Sequence, residues 1–382
     1  MKDILLMSNF NKIIYCINGT FNSGGMERVL ANKANYLANI GYDITIITTD
    51  QQNREPYFEL SSKISHIDLG INYTSVHGMV RKVISYPLNQ LKHKKKLTNI
   101  INELKPDIVI SMFDHDASFL YKIKDGSKKV VEIHFSKFKR LQYGRTGIWK
   151  LIDVLRSKND VNLVKNYDAF VVLTNEDKAY WGDLENMLVI PNANSFESSK
   201  NALLVNRKAI AVGRLSDQKD YDSMIEIWSL IASKFPDWVL EIYGHGELYD
   251  QLKNKIAKLG LVDKIIIQKP VSNIKDKYLE ASLHIMTSKY EGLPMAMLEA
   301  QACGLPLISY DCKCGPKDVI VEGKNGFVIP MGDKDAFAAK LSEILSNEML
   351  RNAMGEISKS RSSLFSENRI MRMWIDLFEK LK

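Results

Sequence analysis

The chain has 382 residues, 45% of them hydrophobic and 25% charged, with a formal net charge of +7 and four cysteines. That length suits about two ordinary domains, and the lack of any run of about 18 uncharged apolar residues excludes a membrane-spanning helix. Cys16, Cys303, Cys312 and Cys314 form no C-x-x-C pair and meet no His-x-x-x-His, so neither a disulfide framework nor a zinc site is expected.

The first ten residues, MKDILLMSNF, offer no small-residue cleavage site after their short apolar run, so no secretory signal is expected and the chain is expected to stay in the cytoplasm. KIIYCIN (12 to 18) predicts a strand. It leads into the Gly-rich GTFNSGG and then a helix, in which Val29, Leu30, Ala34, Leu37 and Ile40 recur at helical spacing until Gly41 stops it. YDITIITTD (42 to 50), KPDIVISM (105 to 112), KKVVEIHF (128 to 135) and YDAFVVLT (167 to 174) are short apolar runs ending in polar residues, as buried parallel strands do. Between them, residues 77 to 105 predict a basic amphipathic segment. Val80, Ile84, Leu91, Leu97, Ile100, Ile101 and Leu104 alternate there with Lys and Arg, and Pro87 is expected to break the run into two short helical pieces. Residues 77 to 150 hold 16 Lys and Arg against 6 Asp and Glu, including Lys94-Lys95-Lys96 and KFKR at 137 to 140, whereas residues 196 to 382 are nearly balanced at 26 against 25. A basic amphipathic segment of this kind suits an anionic membrane surface or an ordinary solvated helix face.

The polar stretch VIPNANSFESSKNALLVN (189 to 206) lacks a periodic pattern and reads as a hinge. After it the strand pattern restarts with KAIAVGRL (208 to 215), DWVLEIYGHG (237 to 246), KIIIQKPV (264 to 271), ASLHIMTS (281 to 288), LPLISYD (305 to 311) and NGFVIP (325 to 330). Strand alternating with helix, twice over, predicts an α/β chain of two doubly wound, Rossmann-like lobes, residues 1–195 and 196–365, facing a central cleft. The closing segment, 366–382, carries Ile370, Met371, Trp374, Leu377, Phe378 and Leu381 near one face and is expected to pack along a lobe, with a return to the first one possible.

Ligands of open α/β sheets bind beyond the carboxyl ends of the strands, so the loops there hold the candidate site. No G-x-x-x-x-G-K-[ST] occurs, nor a G-x-G-x-x-G after the first strand, which excludes the commonest nucleotide-triphosphate and dinucleotide sites. In SKYEGLPMAMLEAQACG, Glu291 sits in a loop and Pro294 suits the first turn of a helix that contains Glu299 and stops at Gly304. The free amides of that helix start make an anion site between two carboxylates, a layout fitting a diphosphate flanked by hydroxylated sugars, or else a capping acid and a surface one. Arg214 and Lys219 follow another strand and supply two cations. Gly244 and Gly246 would let a ligand ring approach the backbone, and Gly24 and Gly25 precede a helix, a second place for an anion.

Taken together, G-G-x-E-R, then G-R-x-x-x-x-K, then E-G-x-P-x-x-x-x-E-A-x-A-x-G-x-P resemble the family 4 glycosyltransferases over essentially the whole chain, from residue 12 to the final helix. The resemblance implies the two-lobed GT-B fold and retaining transfer from a nucleotide sugar, UDP-sugar favoured, without a metal or other cofactor. It implies that Arg214 and Lys219, with Gly213 beside them, hold the donor diphosphate, that Glu299 takes the ribose and that Glu291 takes a donor-sugar hydroxyl. Gly292 and the amides of Leu293, Pro294's neighbour Met295 and Ala296 would meet the phosphates or sugar, Gly24 and Gly25 would approach from the other lobe, and the base would lie by Gly246 and Val271. His134 matches a His that faces the donor sugar, and Asp114 and Asp116 are candidates for the acceptor. The narrower likeness of FNSGGMERVL and SMFDHDAS is to enzymes that extend polyprenyl-diphosphate-linked saccharides with hexoses or N-acetylgalactosamine, which implies a peripheral enzyme at the inner face of the membrane. A nucleotide-sugar epimerase of the same architecture is the alternative. Nucleic-acid binding is not expected, because residues 77 to 105 contain a single aromatic, Tyr86.

Overall fold

A computed structural model describes residues 11–75, 79–138 and 146–382. Arg81's neighbour Lys82 is described in its backbone only, and Lys139 and Arg140 of the KFKR run lie outside the described residues, as does MKDILLMSNF. In the first half the elements run β1 (Lys12–Ile17), α1 (Gly25–Asn39), β2 (Asp43–Thr48), β3 (Ser65–Asp68), α2 (Met79–Leu104), β4 (Ile108–Ser111), β5 (Lys128–Glu132), α3 (Gly147–Val164), β6 (Ala169–Val172), α4 (Asn175–Trp181) and β7 (Met187–Val189). All seven strands pair in parallel, in the order β3-β2-β1-β4-β5-β6-β7. Chain order reverses between β1 and β4, which opens a crevice at their carboxyl ends.

The second half repeats the plan with β8 (Lys208–Val212), α5 (Tyr221–Ile231), β9 (Val239–Tyr243), α6 (Tyr249–Lys258), β10 (Ile265–Gln268), α7 (Ile274–Glu280), β11 (Leu283–Met286), α8 (Met295–Ala302), β12 (Leu307–Tyr310), α9 (Pro316–Val319) and β13 (Gly326–Ile329), followed by α10 (Lys334–Ser346), α11 (Glu348–Ser362) and α12 (Glu367–Leu381). Its six parallel strands lie in the order β10-β9-β8-β11-β12-β13, with the switch between β8 and β11. Both sheets are buried on two faces by helices, hence the continuous apolar runs of Ile13 to Ile17, Ile108 to Ile110 and Leu307 to Ile308. The amphipathic α12 returns to the first lobe, where Ile370, Met371, Trp374, Leu377 and Phe378 join the core of Ile13, Tyr15, Leu30 and Leu37.

Three local expectations are corrected. Residues 79 to 104 form one helix, not two, because Pro87 stands inside it and its lost N–H bond is outweighed by the packing of Leu97 and Ile101, both fully buried. Pro294 is the N-cap of α8, at φ −73° and ψ 102°, one position earlier than its sequence suggests. Two short strands also escape the sequence reading: β3 is an edge with little burial and β7 has only three residues.

Candidate active site

The opposed carboxyl ends of the two sheets bring two helix starts together. A Cβ on Gly25, first residue of α1, would come 3.8 Å from Cγ of Met295, first residue of α8. At α8 the amides of Met295 and Ala296 lack intrahelical partners, as the first turn of any helix must. At α1 the place is taken by the chain itself: the carboxylate of Glu27 folds back to within 2.2 Å of where a Gly24 Cβ would be, and burial raises its pKa. That carboxylate, which also accepts from Asn22 Nδ2 at 3.3 Å, therefore stands at the α1 start, where an incoming anion would meet it.

The two lobes touch where α8's leading loop meets β5. A Cβ on Gly292 would lie 2.5 Å from the carbonyl oxygen of His134 and 2.9 Å from Cα of Phe135, so only glycine permits this approach. His134 is thereby set against the loop that carries Glu291, Leu293 and Pro294. Its side chain is 5% exposed, and neither ring nitrogen makes an aligned hydrogen bond among the described residues. Glu291, 8% exposed, receives Nζ of Lys219 at 2.6 Å, so the two residues predicted to meet sugar and diphosphate form one half-buried ion pair. Glu299, about one turn along α8, accepts from the Tyr278 hydroxyl at 3.1 Å and faces Arg28 of α1 across the cleft at 3.7 Å. Burial pushes its carboxyl up from the ordinary range, and Arg28 and Tyr278 oppose that.

Other expected residues stand elsewhere. Arg214 is 72% exposed and pairs with Glu247 at 3.3 Å, so it does not share Lys219's partner in this structure. Gly244 and Gly246 are required by the protein's own backbone: a Cβ would come 1.9 Å from the Gly213 carbonyl and 2.3 Å from that of Leu215, which locks the Gly213 loop against the loop after β9. Val271 lies on the surface at 36% exposure. Asp114, partly exposed, accepts from the His115 amide at 2.7 Å and lies near enough to Glu27 to raise its pKa. Asp116 does not face the cleft solvent as an acceptor ligand should. It is 2% exposed, one carboxylate oxygen has no partner, and burial pushes its pKa up to about 7.

Sequence reasoning missed Arg28, Tyr278 and, behind His134, Lys33 and Glu132. A signal existed for the last two: Lys33 interrupts the apolar stripe of α1 between Leu30 and Leu37, and Glu132 interrupts the apolar run of β5. Two lone charges at buried positions require one another.

Two family models match the chain, in consecutive stretches. The model described as Glycosyltransferase Family 4 matches residues 23–193, and the one described as Glycosyl transferases group 1 matches residues 195–361. The chain is 28% identical over 385 residues to the amylovoran biosynthesis glycosyltransferase AmsD of Erwinia amylovora, covering 96% of this chain and 99% of that protein. It is 26% identical over 376 residues to the GalNAc-alpha-(1->4)-GalNAc-alpha-(1->3)-diNAcBac-PP-undecaprenol alpha-1,4-N-acetyl-D-galactosaminyltransferase of Campylobacter jejuni, covering 97% and 99%. Its architecture is that of S. aureus TarM, solved in complex with fondaparinux, alpha-GlcNAc-glycerol and UDP, at a TM-score of 0.76, 16% identity and coverage of 96% and 99%. At that identity the likeness is one of fold, and the fold is GT-B.

Proposed function

Because the chain belongs to the family 4 glycosyltransferases, each lobe matching its own half of the family, we propose that it moves a hexose or N-acetylhexosamine from a nucleotide-diphosphate sugar to a saccharide acceptor with retention of configuration. The observation that carries this reading is the pairing of Lys219 with Glu291 beside the open start of α8. A diphosphate placed at the α8 amides would take Lys219 from Glu291, freeing that carboxylate for a donor-sugar hydroxyl. The negative charge that develops on the leaving diphosphate is then met by a helix start and an ammonium already in position, without a metal. In the same reading Glu299 exchanges Arg28 for the ribose hydroxyls, and Arg214 swings from Glu247 toward the phosphates.

The acceptor reading is a polyprenyl-diphosphate-linked saccharide in cell-surface polysaccharide assembly. The Campylobacter relative supports the lipid-linked acceptor by the undecaprenol-diphosphate saccharide in its name, and the Erwinia relative supports polysaccharide assembly by naming amylovoran biosynthesis. The first lobe supports the membrane side: Ile84, Leu88 and Leu91 of α2 share one face, are each about two-thirds exposed, and stand beside the exposed Lys92, Lys94 and Lys95. No helix among the described residues is long and apolar enough to cross a membrane. Contact with an anionic inner-leaflet surface predicts co-sedimentation with phosphatidylglycerol vesicles that is lost with neutral ones.

Melting the protein with UDP, GDP or ADP in the presence of EDTA tests the donor site. UDP is expected to stabilise it, by an increment that grows with concentration as mass action requires. No shift with any of the three sinks the reading. Glu299→Ala should shrink the shift, whereas Glu291→Ala should chiefly slow transfer to extracted lipid-linked acceptors. If both variants transfer labelled sugar at the normal rate, the site is misplaced.

A further inference from the structure

Behind His134 lies a charged pair that donor binding does not use. Nζ of Lys33, on the inward face of α1, stands 2.6 and 2.5 Å from the two carboxylate oxygens of Glu132 at the end of β5, and the two side chains are 4% and 1% exposed. Trp374 of α12 covers the ammonium at 3.9 Å from its ring centroid, and Tyr15 of β1 lies at 5.2 Å. A cavity of about 20 Å³ beside the pair has room for one water. Burial would raise the Glu132 carboxyl, but Lys33 and then His134 hold it down to about 2, so it is ionised at any physiological pH. Its Oε2 lies 3.5 Å from Nε2 of His134, a charge contact; among the described residues no charged group stands as near to Nδ1, and neither ring nitrogen has a hydrogen-bond partner.

A carboxylate against one ring nitrogen fixes both the orientation of an imidazole and which nitrogen carries its hydrogen. Here the hydrogen belongs on Nε2, which leaves Nδ1 as an acceptor. Lys33 matters to that choice, since an unpaired buried carboxylate would draw a second proton onto the ring. The charged groups facing His134 are Glu132 from β5, Lys33 behind it and Glu27 from the first turn of α1.

We propose that Glu132, kept in place by Lys33, is the positioning residue that fixes the ring and the Nε2–H tautomer of His134, so that Nδ1 receives a hydroxyl of the donor sugar. This rests on the reading of His134 as a residue that faces that sugar. Full-length protein labelled with ¹⁵N-histidine reports the tautomer directly, with His134→Asn identifying the signals. Wild type is expected as the Nε2–H form, with and without UDP. Glu132→Gln and the neutral-pair variant Lys33→Met/Glu132→Gln are expected to give a mixture of tautomers and to lower kcat for transfer to lipid-linked acceptors about tenfold or more, with donor KM within about twofold. The double variant guards against simple unfolding, because it leaves no unpaired buried charge. Should it melt near wild type and keep both the tautomer and kcat, the pair is only a structural staple and the proposal falls. Wild-type transfer by His134→Asn is a different failure: it removes the donor-sugar role of His134 itself, while the tautomer still shows whether Glu132 orders the ring.

Discussion

The two walls of the cleft are built differently. On the second lobe the proposed donor groups lie within short stretches of chain: Glu291, Pro294 and Glu299 on one loop and helix, Lys219 on another, partly exposed and paired with Glu291 at 2.6 Å. On the first lobe His134 is backed by residues from β5, α1, β1 and α12, all of them buried. In the proposed reading, the contrast separates a wall that lets go of its internal contacts when a ligand arrives from one that holds a single side chain still. A half-buried pair of the first kind, with Lys219 20% exposed, is screened by solvent on one side, whereas a broken pair of the second kind leaves a fully buried charge and is costlier.

The sharpest way to break that contrast is to remove one partner of the buried pair. Lys33→Met leaves Glu132 as an uncompensated charge and should cost about 3–5 kcal/mol in urea unfolding, most of which Lys33→Met/Glu132→Gln should restore. Lys219→Met, by contrast, should lower the unfolding midpoint by less, because solvent reaches one side of that pair. A Lys33→Met protein as stable as wild type would mean that the first wall is no more rigid than the second.

A second test concerns Asp116, the buried carboxyl of the first lobe, whose pKa stands at about 7 in the fold against an ordinary 3.8. The folded protein keeps that proton over a range in which the unfolded chain has released it, so stability falls as pH rises from about 4 to about 7 and is level above. Asp116→Asn removes the slope. It should be stabilising by a few kcal/mol at pH 8 and neutral near pH 4, as read from unfolding midpoints across that range. Equal effects at both ends would show that Asp116 titrates normally.

Where the walls meet, Gly292→Ala should uncouple them. The added methyl collides with the His134 carbonyl, but the lobes can part to relieve it, so folding and UDP binding by the second lobe should persist while transfer falls about tenfold, the equivalent of about 1.4 kcal/mol against the closed arrangement. A variant that loses UDP binding to the same degree as transfer would place the damage in the donor loop itself.

The same contrast explains what was legible in the sequence. The inner strands of both sheets were legible because strands buried on two faces spell continuous apolar runs, whatever packs against them, whereas the short edges of the first sheet, β3 and β7, were not. The Glu291 to Glu299 stretch was legible as a loop and a helix because both are local, with Pro294 off by one position. Lys33 and Glu132 did not, being 99 positions apart and cooperating with Trp374, which the chain supplies only as it returns from the far lobe. Gly244 and Gly246 were legible as glycines needed for close approach, but what approaches is the Gly213 to Leu215 backbone, a tertiary fact that no local pattern carries. Pro87 misled for the converse reason: the local rule against proline in a helix is real, but α2 is held by side chains more than a turn away.

Arg28 is the residue whose side of the contrast is still open to experiment, and its effect should be the smallest. It lies on the first lobe, yet it is about one-third exposed, stacks on Phe58 with its guanidinium 4.8 Å from the ring centroid, and meets Glu299 at only 3.7 Å. An ion pair of that exposure and length is worth under about 1 kcal/mol and weakens with salt, so Arg28→Met should hardly move the melting point. Because the pair occupies the carboxylate proposed for the ribose, its removal should instead tighten UDP binding by a few-fold, seen as a larger thermal shift at the same UDP concentration. A smaller shift than wild type would mean that Arg28 follows the ligand instead of competing with it. It would then belong functionally to the second wall, as a cation that the first lobe delivers to the diphosphate when the cleft closes.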